Sequence, residues 1–176
     1  MRKLAALLRF LRRAAWEVVS TVVPALAIVL FVNVFVARAS VEGPSMQPNL
    51  YTGYRVLADR MAYRFHAPSR GDVVIVDPPE GGIPLIKRVI ALPGEVVEVR
   101  AGHVSIDGRP LAEPWVQRYG GPSYAATEVP AGHIFIMGDN RMESRDSRAF
   151  GPLPLAAVHG RVWLIYWPPG HISLHL

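Results

Sequence analysis

The sequence predicts a mostly β protein, in which a single N-terminal transmembrane helix is followed by an all-β domain of coiled antiparallel sheets. Two observations carry that prediction. Residues 18–36 form an uncharged run of 19, interrupted only by Ser20, Thr21, Pro24 and Asn33. Beyond Leu50, short apolar runs alternate with turn signals rich in Pro and Gly, and few stretches show a helical period. The length of 176 residues leaves room for one ordinary domain plus appendages.

The N-terminal element comes first. A helix of 19 residues rises about 28 Å, close to the hydrocarbon thickness of a bilayer. A buried core helix is the alternative, but one that is apolar all round needs a larger protein to cover it. Arg2, Lys3, Arg9, Arg12 and Arg13 precede the run against a lone Glu17, and only Arg38 follows closely. The positive-inside rule then leaves the N-terminus in the cytoplasm of a single-pass protein of the cell membrane. The expected division is a basic cytoplasmic tail at 1–17, a transmembrane helix at 18–36 and an extracytoplasmic β domain at 37–176. Ala37-Arg38-Ala39 also reads as an Ala-x-Ala site at which a leader is removed. The run exceeds the usual apolar length of about 7–15 residues for such leaders, which favours a retained anchor.

Net charge is +5, of which the first 17 residues supply +4. The main domain is therefore near neutral, and no nucleic-acid partner is expected. The absence of cysteine excludes a disulfide framework, thiol chemistry and cysteine-ligated zinc.

Within the β domain, residues 41–50 begin within nine residues of the membrane run, so Ser45 lies at most about 30 Å along the chain from the helix end. Pro44 and Pro48 stiffen this stretch and Gly43 permits unusual dihedrals. A turn serine is the ordinary reading of Gly-Pro-Ser. Strands are expected at 53–57 and 72–76, with residues 78–82 as an exposed loop. Residues 83–92 read as a further strand, closed by Pro93-Gly94. Residues 96–99 and 103–106, with a turn at Asp107-Gly108, suggest a hairpin. A Pro-, Gly- and Tyr-rich loop at 113–127 leads to strands at 133–137 and 161–167. Trp163, Tyr166 and Trp167 are expected to pack in the core, with contact to the bilayer interface as the alternative.

One residue stands apart chemically. Of 19 basic residues 17 are arginine, and Lys87 is the only lysine beyond Lys3. Arginine cannot lose its proton in a protein, whereas burial makes a lysine amine neutral. Leu85, Ile86, Val89 and Ile90 flank Lys87 and desolvate it, which lowers its pKa. Lowering it from about 10.4 to about 8 costs roughly 3 kcal/mol, a bearable strain at one functional site. Lys87 thus reads as a general base, against the alternative of a strand lysine reaching solvent.

Histidine offers less. His171 and His175 have helical metal spacing but sit at the chain end. His133 and Asp139 invite a serine triad without any nucleophile elbow nearby. No metal and no cofactor is expected.

Three boxes then line up. Gly43-Pro44-Ser45-Met46-Gln47-Pro48-Asn49-Leu50 resembles the nucleophile box of type I signal peptidases, or leader peptidases. Ile86-Lys87-Arg88-Val89-Ile90-Ala91-Leu92-Pro93-Gly94-Glu95 resembles their lysine box. Gly138-Asp139-Asn140-Arg141-Met142-Glu143-Ser144-Arg145-Asp146-Ser147-Arg148 resembles their third, and Gly71-Asp72-Val73-Val74 a segment ahead of the second. The resemblance implies a signal-peptidase-like fold and a Ser-Lys dyad with Ser45 as nucleophile and Lys87 as base. It implies that Ser144 hydrogen-bonds the Lys87 amine, that Asp146 with Arg148 and Asp139 with Arg141 brace the site, and that the Ser45 N–H serves the oxyanion. Gly43 departs from relatives that carry a hydroxyl residue there as second oxyanion donor. A backbone N–H, a water or a single-donor hole are the possibilities left.

By the same resemblance, Val41, Met46, Leu50, Leu85 and Ile86 would line shallow pockets for small residues at −1 and −3 from the cut. The implied partners are signal peptides of exported preproteins, the phospholipid bilayer and the export translocon. Two other classes stay open. One is a self-cleaving Ser-Lys peptidase, and the other is a silent membrane-tethered module that binds signal sequences.

Overall fold

The computed structural model describes residues 2–64 and 66–174, the first nine of these as backbone only. The side chains of Arg2, Lys3 and Arg9, and the whole of His175, lie outside the described residues. The chain divides into two compact units, Met1–Val36 and Ala37–Leu176.

The first unit is one helix, α1 (Arg2–Phe35), which runs on through the basic stretch as well as the apolar one. Leu4, Ala5, Ala6, Leu7 and Leu8 are strong helix formers, and nothing before Pro24 interrupts the backbone ladder. Residues 11–35 are long and apolar enough to cross a membrane, and none of their strongest apolar window is buried in protein. Leu26, Leu30 and Phe31 are each more than 60% exposed. Such a surface calls for hydrocarbon rather than a protein core. Val36, read from sequence as the last helical residue, instead opens the first strand.

Among the described residues from Val36 onward there are eleven strands, one short α-helix and two single 3-10 turns. In chain order the strands and the α-helix are β1 (Val36–Ser40), β2 (Arg55–Asp59), β3 (Val73–Val76), β4 (Leu85–Ala91), β5 (Val96–Arg100), β6 (His103–Ile106), β7 (Arg109–Pro110), β8 (Tyr124–Glu128), β9 (His133–Met137), α2 (Ser147–Phe150), β10 (Leu153–Pro154) and β11 (Val158–Trp167). A seven-stranded sheet runs β1-β2-β11-β3-β4-β9-β10, and a four-stranded one runs β7-β6-β5-β8. The strands read from sequence all appear, with edges moved by at most three residues. Four others were not legible. β7 and β10 are two residues long, and β8 (Tyr-Ala-Ala-Thr-Glu) has little intrinsic strand preference and is ordered by its ladder with β5. β1 contains the Ala37-Arg38-Ala39 sequence, paired beside β2 with Ala37 buried. The turn between β5 and β6 is Ala101-Gly102, with φ of 48° and 85°, while Asp107-Gly108 turns β6 into β7.

β4 is the strand that matters most. It lies between β3 and β9, and six of its seven residues are buried. Side chains alternate across a strand. Leu85 and Val89 pack with Val74, Val76, Ile134 and Ile136 on one side. Ile86 joins a cluster with Met46, Leu50 and Val56, and Ile90 joins one with Val97 and Phe135. A strand covered on both faces has no solvent side to which a charged residue could turn.

The core reading of the late aromatics is overturned. Trp163 is 37% exposed and Trp167 is 48% exposed. β11 sends Val162 and Ile165 inward, and register shifts between Val162 and Leu164 and between Ile165 and Trp167 break strict alternation. Trp163 faces away from buried Val162 by simple alternation, the first shift brings Ile165 inward, and the second leaves Trp167 on the outer side again.

Candidate active site

Residues 41–54 connect β1 to β2 and are pinned at both ends. The Val41 N–H donates to the Tyr54 carbonyl at 2.8 Å, and the Gly53 N–H donates to the Val41 carbonyl at 2.9 Å. Between them the Gln47 N–H reaches the Pro44 carbonyl at 3.0 Å and the Leu50 N–H the Met46 carbonyl at 2.9 Å, a compact turn that sinks Met46 and Leu50 into the core. Gly43 has φ of +76°, a left-handed conformation that disfavours a side chain, and its carbonyl accepts from Thr52 Oγ1 at 3.0 Å. From the far side, the Asn140 N–H donates to the Ser45 carbonyl at 3.0 Å, and Asn140 Nδ2 donates to the Pro44 carbonyl at 3.3 Å. Ser45 is thus presented by a loop held from three directions.

Lys87 meets it there. Its Nζ donates to Ser45 Oγ at 2.7 Å, across 42 positions of sequence. Lys87 is 2% exposed. Burial pushes its pKa down to about 8; the carboxylates of Asp146 and Asp139 pull the other way, and the Arg148 guanidinium adds to the lowering. Beside the pair opens a cleft of about 160 Å³ whose lining includes Val41, Met46, Leu85 and Ile86. Leu50, expected with them, does not reach it. It is fully buried against Val56 and Ile86 because the turn at 46–50 points it inward.

A hydroxyl hydrogen-bonded to a desolvated amine, next to an apolar cleft, is equipped for nucleophilic attack on a bound acyl group. The family model described as signal peptidase, peptidase S26, matches residues 15–167 of this chain. The chain belongs to the S26 signal peptidase family. A probable signal peptidase I-1 of Synechocystis sp. is 37% identical, over 87% of this chain and 85% of that protein. Signal peptidase I of Leptolyngbya laminosa is 34% identical, over 89% and 82%. The crystal structure of a signal peptidase I from Enterococcus faecalis V583 matches 53% of this chain and 95% of that one, at 32% identity and a TM-score of 0.48.

In this S26 chain the third box is a buried electrostatic frame, differently wired from the sequence expectation. Asp146 and Arg148 do pair, through two bonds of 2.8 Å. Asp146 also accepts from the Gly138 N–H at 3.0 Å and from the Arg148 N–H at 3.2 Å, so one carboxylate ties the end of β9 to the start of α2. Asp139 and Arg141 do not pair. Asp139 instead takes Arg88 in a bidentate bridge of 2.8 and 2.7 Å, and also accepts from Asn49 Nδ2 at 2.7 Å. Arg141 pairs with Glu113 and bonds the carbonyls of Gly102 at 2.7 Å and Gly138 at 3.2 Å. The physical reason is position: Arg88 stands next to Lys87 on β4, buried to 1% exposure, and a buried guanidinium needs the nearest carboxylate.

Ser144 also differs. Its Oγ is buried and makes no hydrogen bond, so the expected bond to the Lys87 amine is not formed. It lies instead against Gly138, where an added Cβ would overlap both the Ser144 Oγ and the Ser45 carbonyl. Glycine at 138 is what lets the third box close on the loop that carries Ser45.

His133 Nδ1 contacts the Ala131 carbonyl at 3.0 Å, and Asp139 is engaged by Arg88, so no triad forms. His171 lies against Tyr54, with ring centroids 5.3 Å apart and the rings tilted by 37°.

Sequence reasoning gave no role to Arg88, Asn49 or Glu113. Arg88 carried a usable signal, since a charge beside Lys87 in an otherwise apolar strand must be paired. Glu113 carried none, because only the tertiary fold brings it to Arg141.

Asp139→Asn strips Arg88 of its counter-charge and is expected to destabilise the domain by about 3–5 kcal/mol; a urea titration showing less than about 1 kcal/mol would contradict the frame. Lys87 has the opposite sign. Its folded pKa of about 8 lies below the ordinary 10.5, so between those values the unfolded chain binds more protons and stability rises with pH. At pH 7 the full penalty, about 3 kcal/mol, is present. Lys87→Met is therefore expected to raise thermal stability at pH 7, with a gain that shrinks as pH approaches 10.5.

Proposed function

We propose that this chain is a membrane-anchored serine endopeptidase that removes signal peptides from exported preproteins, cutting after a small residue of an Ala-x-Ala-type site. Ser45 is the nucleophile and Lys87 the general base. The observation that carries the reading is the 2.7 Å contact of Nζ with Oγ inside a site that holds the amine pKa near 8.

The chemistry follows from that contact. At neutral pH about a tenth of the Lys87 amine is unprotonated, and its lone pair accepts the Ser45 hydroxyl proton as Oγ attacks the scissile carbonyl. The Ser45 N–H receives the oxyanion. The protonated amine then gives its proton to the leaving nitrogen, which departs with the mature protein. Lys87, neutral again, draws a proton from water, whose oxygen attacks the ester carbonyl; the amine passes that proton to the departing Ser45 Oγ, which frees the signal peptide and restores the dyad. Asp146 with Arg148 and Asp139 with Arg88 hold the surrounding loop. Arg141 with Glu113 and the packed Ser144 do the same, and none of these groups enters the chemistry.

Substrate choice follows from the cleft. Walls from Val41, Met46, Leu85 and Ile86 leave about 160 Å³, room for small apolar side chains and little else. Location follows from α1. With its basic end in the cytoplasm, the helix sets the β domain on the outer side of the cell membrane, where cut sites emerge from the export translocon. Ser45 follows Phe35 by ten residues, a tether of about 35 Å at most, so enzyme and cut site share one membrane surface.

Incubating the detergent-solubilised chain with a preprotein should yield a product whose new N-terminus follows the Ala-x-Ala site. Ser45→Ala should fold normally by circular dichroism and cleave nothing. Lys87→Arg, which keeps the charge and cannot act as a base, should be equally inactive; turnover in either variant sinks the dyad. With chemistry limiting, kcat/KM should climb about tenfold per pH unit below 8 and level off above it, whereas a flat profile from pH 6 to 9 would exclude Lys87 as base.

A further inference from the structure

The nucleophile loop has a second side. The cleft beside Lys87 is lined from residues 40–46 and 83–87. A larger groove, of about 650 Å³, begins at the next residue, Gln47, and is walled by Tyr51, Arg118, Asn140, Met142 and Glu143 among others. It is bonded directly to the nucleophile's own backbone, because Asn140 on its wall donates to the Ser45 carbonyl through its N–H and to the Pro44 carbonyl through Nδ2.

The groove has the chemistry of a peptide track. Met142 is 64% exposed and Tyr51 is 44% exposed, offering apolar walls. The side-chain amides of Gln47 and Asn140 match the donors and acceptors of an extended backbone. Arg118 and Glu143 are exposed, and neither makes an ion pair among the described residues. The Asp139 carboxylate also reaches the wall, but Arg88 neutralises it. Two unspent charges of opposite sign thus flank an otherwise neutral channel.

An endopeptidase must hold chain on both sides of the bond it cuts. Resting on the peptidase reading above, we infer that this groove binds the first residues of the mature protein, downstream of the cut, and that Arg118 and Glu143 set its preference for their charge. Arg118 favours acidic side chains there and Glu143 favours basic ones. Remote contacts of this kind raise kcat/KM because binding energy away from the reacting bond is used to orient it.

The test uses the full chain in detergent micelles and peptides sharing one Ala-x-Ala signal-side sequence. Five residues after the cut should give kcat/KM at least about tenfold higher than one residue. With Asp or Lys at the second and third downstream positions, Arg118→Glu should move the Asp-to-Lys preference at least about threefold toward Lys, and Glu143→Lys should move it toward Asp. Equal kcat/KM for long and short peptides overturns the groove while leaving the peptidase reading intact. A length effect with an unmoved preference in both variants overturns the role of Arg118 and Glu143. Cleavage of no peptide at all sinks the peptidase reading itself, and this inference with it.

Discussion

Everything in the β domain turns on keeping one amine out of water. Lys87 sits on β4, the strand covered on both faces between β3 and β9. Its neighbours Leu85 and Val89 pack into one apolar cluster and Ile86 into another. An ammonium placed there loses hydration that no carboxylate directly restores, so its proton becomes easier to remove. The fold carries that cost because the rest of the core is large enough to absorb it.

Two carboxylates lie near that amine and act against its neutrality, since both Asp146 and Asp139 raise its pKa. The frame limits their pull. Each is engaged by a guanidinium in two bonds, Asp146 by Arg148 and Asp139 by Arg88, so its charge is largely spoken for. Arginine suits this task and lysine does not, because a planar fork that never titrates matches a carboxylate at both oxygens. The chain's preference for arginine leaves Lys87 as the only lysine of the β domain, the one ammonium there from which burial can take a proton.

The same frame gives the loop that carries Ser45 its position. Gly138 follows the end of β9, Asp146 captures its N–H, and Asn140 reaches from there to the Ser45 carbonyl. The contact of the Ser144 hydroxyl with Gly138 leaves no room for a methyl group. Loop and frame therefore close as one piece, and rigid closure of this kind is what holds a hydroxyl and an amine at hydrogen-bond distance without substrate.

The sequence by itself determined the helix, seven of the strands and the chemical singularity of Lys87. An uncharged run of bilayer length, short apolar strands between turns, and a lone lysine in an apolar strand are local patterns, and local patterns fix helix, strand and desolvation. Lys87 was legible for that reason, whereas Ser45 read locally as a turn serine and stood out only through the resemblance of three boxes in order. Only the tertiary structure decided who pairs with whom. Asp139 meets Arg88 across 51 positions and Arg141 meets Glu113 across 28. Leu50 turns into the core, Ser144 loses its expected partner, and the outer face of β11 carries Trp163 and Trp167. Each of these outcomes depends on distances between segments far apart in the chain, and no pattern within a segment encodes a distance to another.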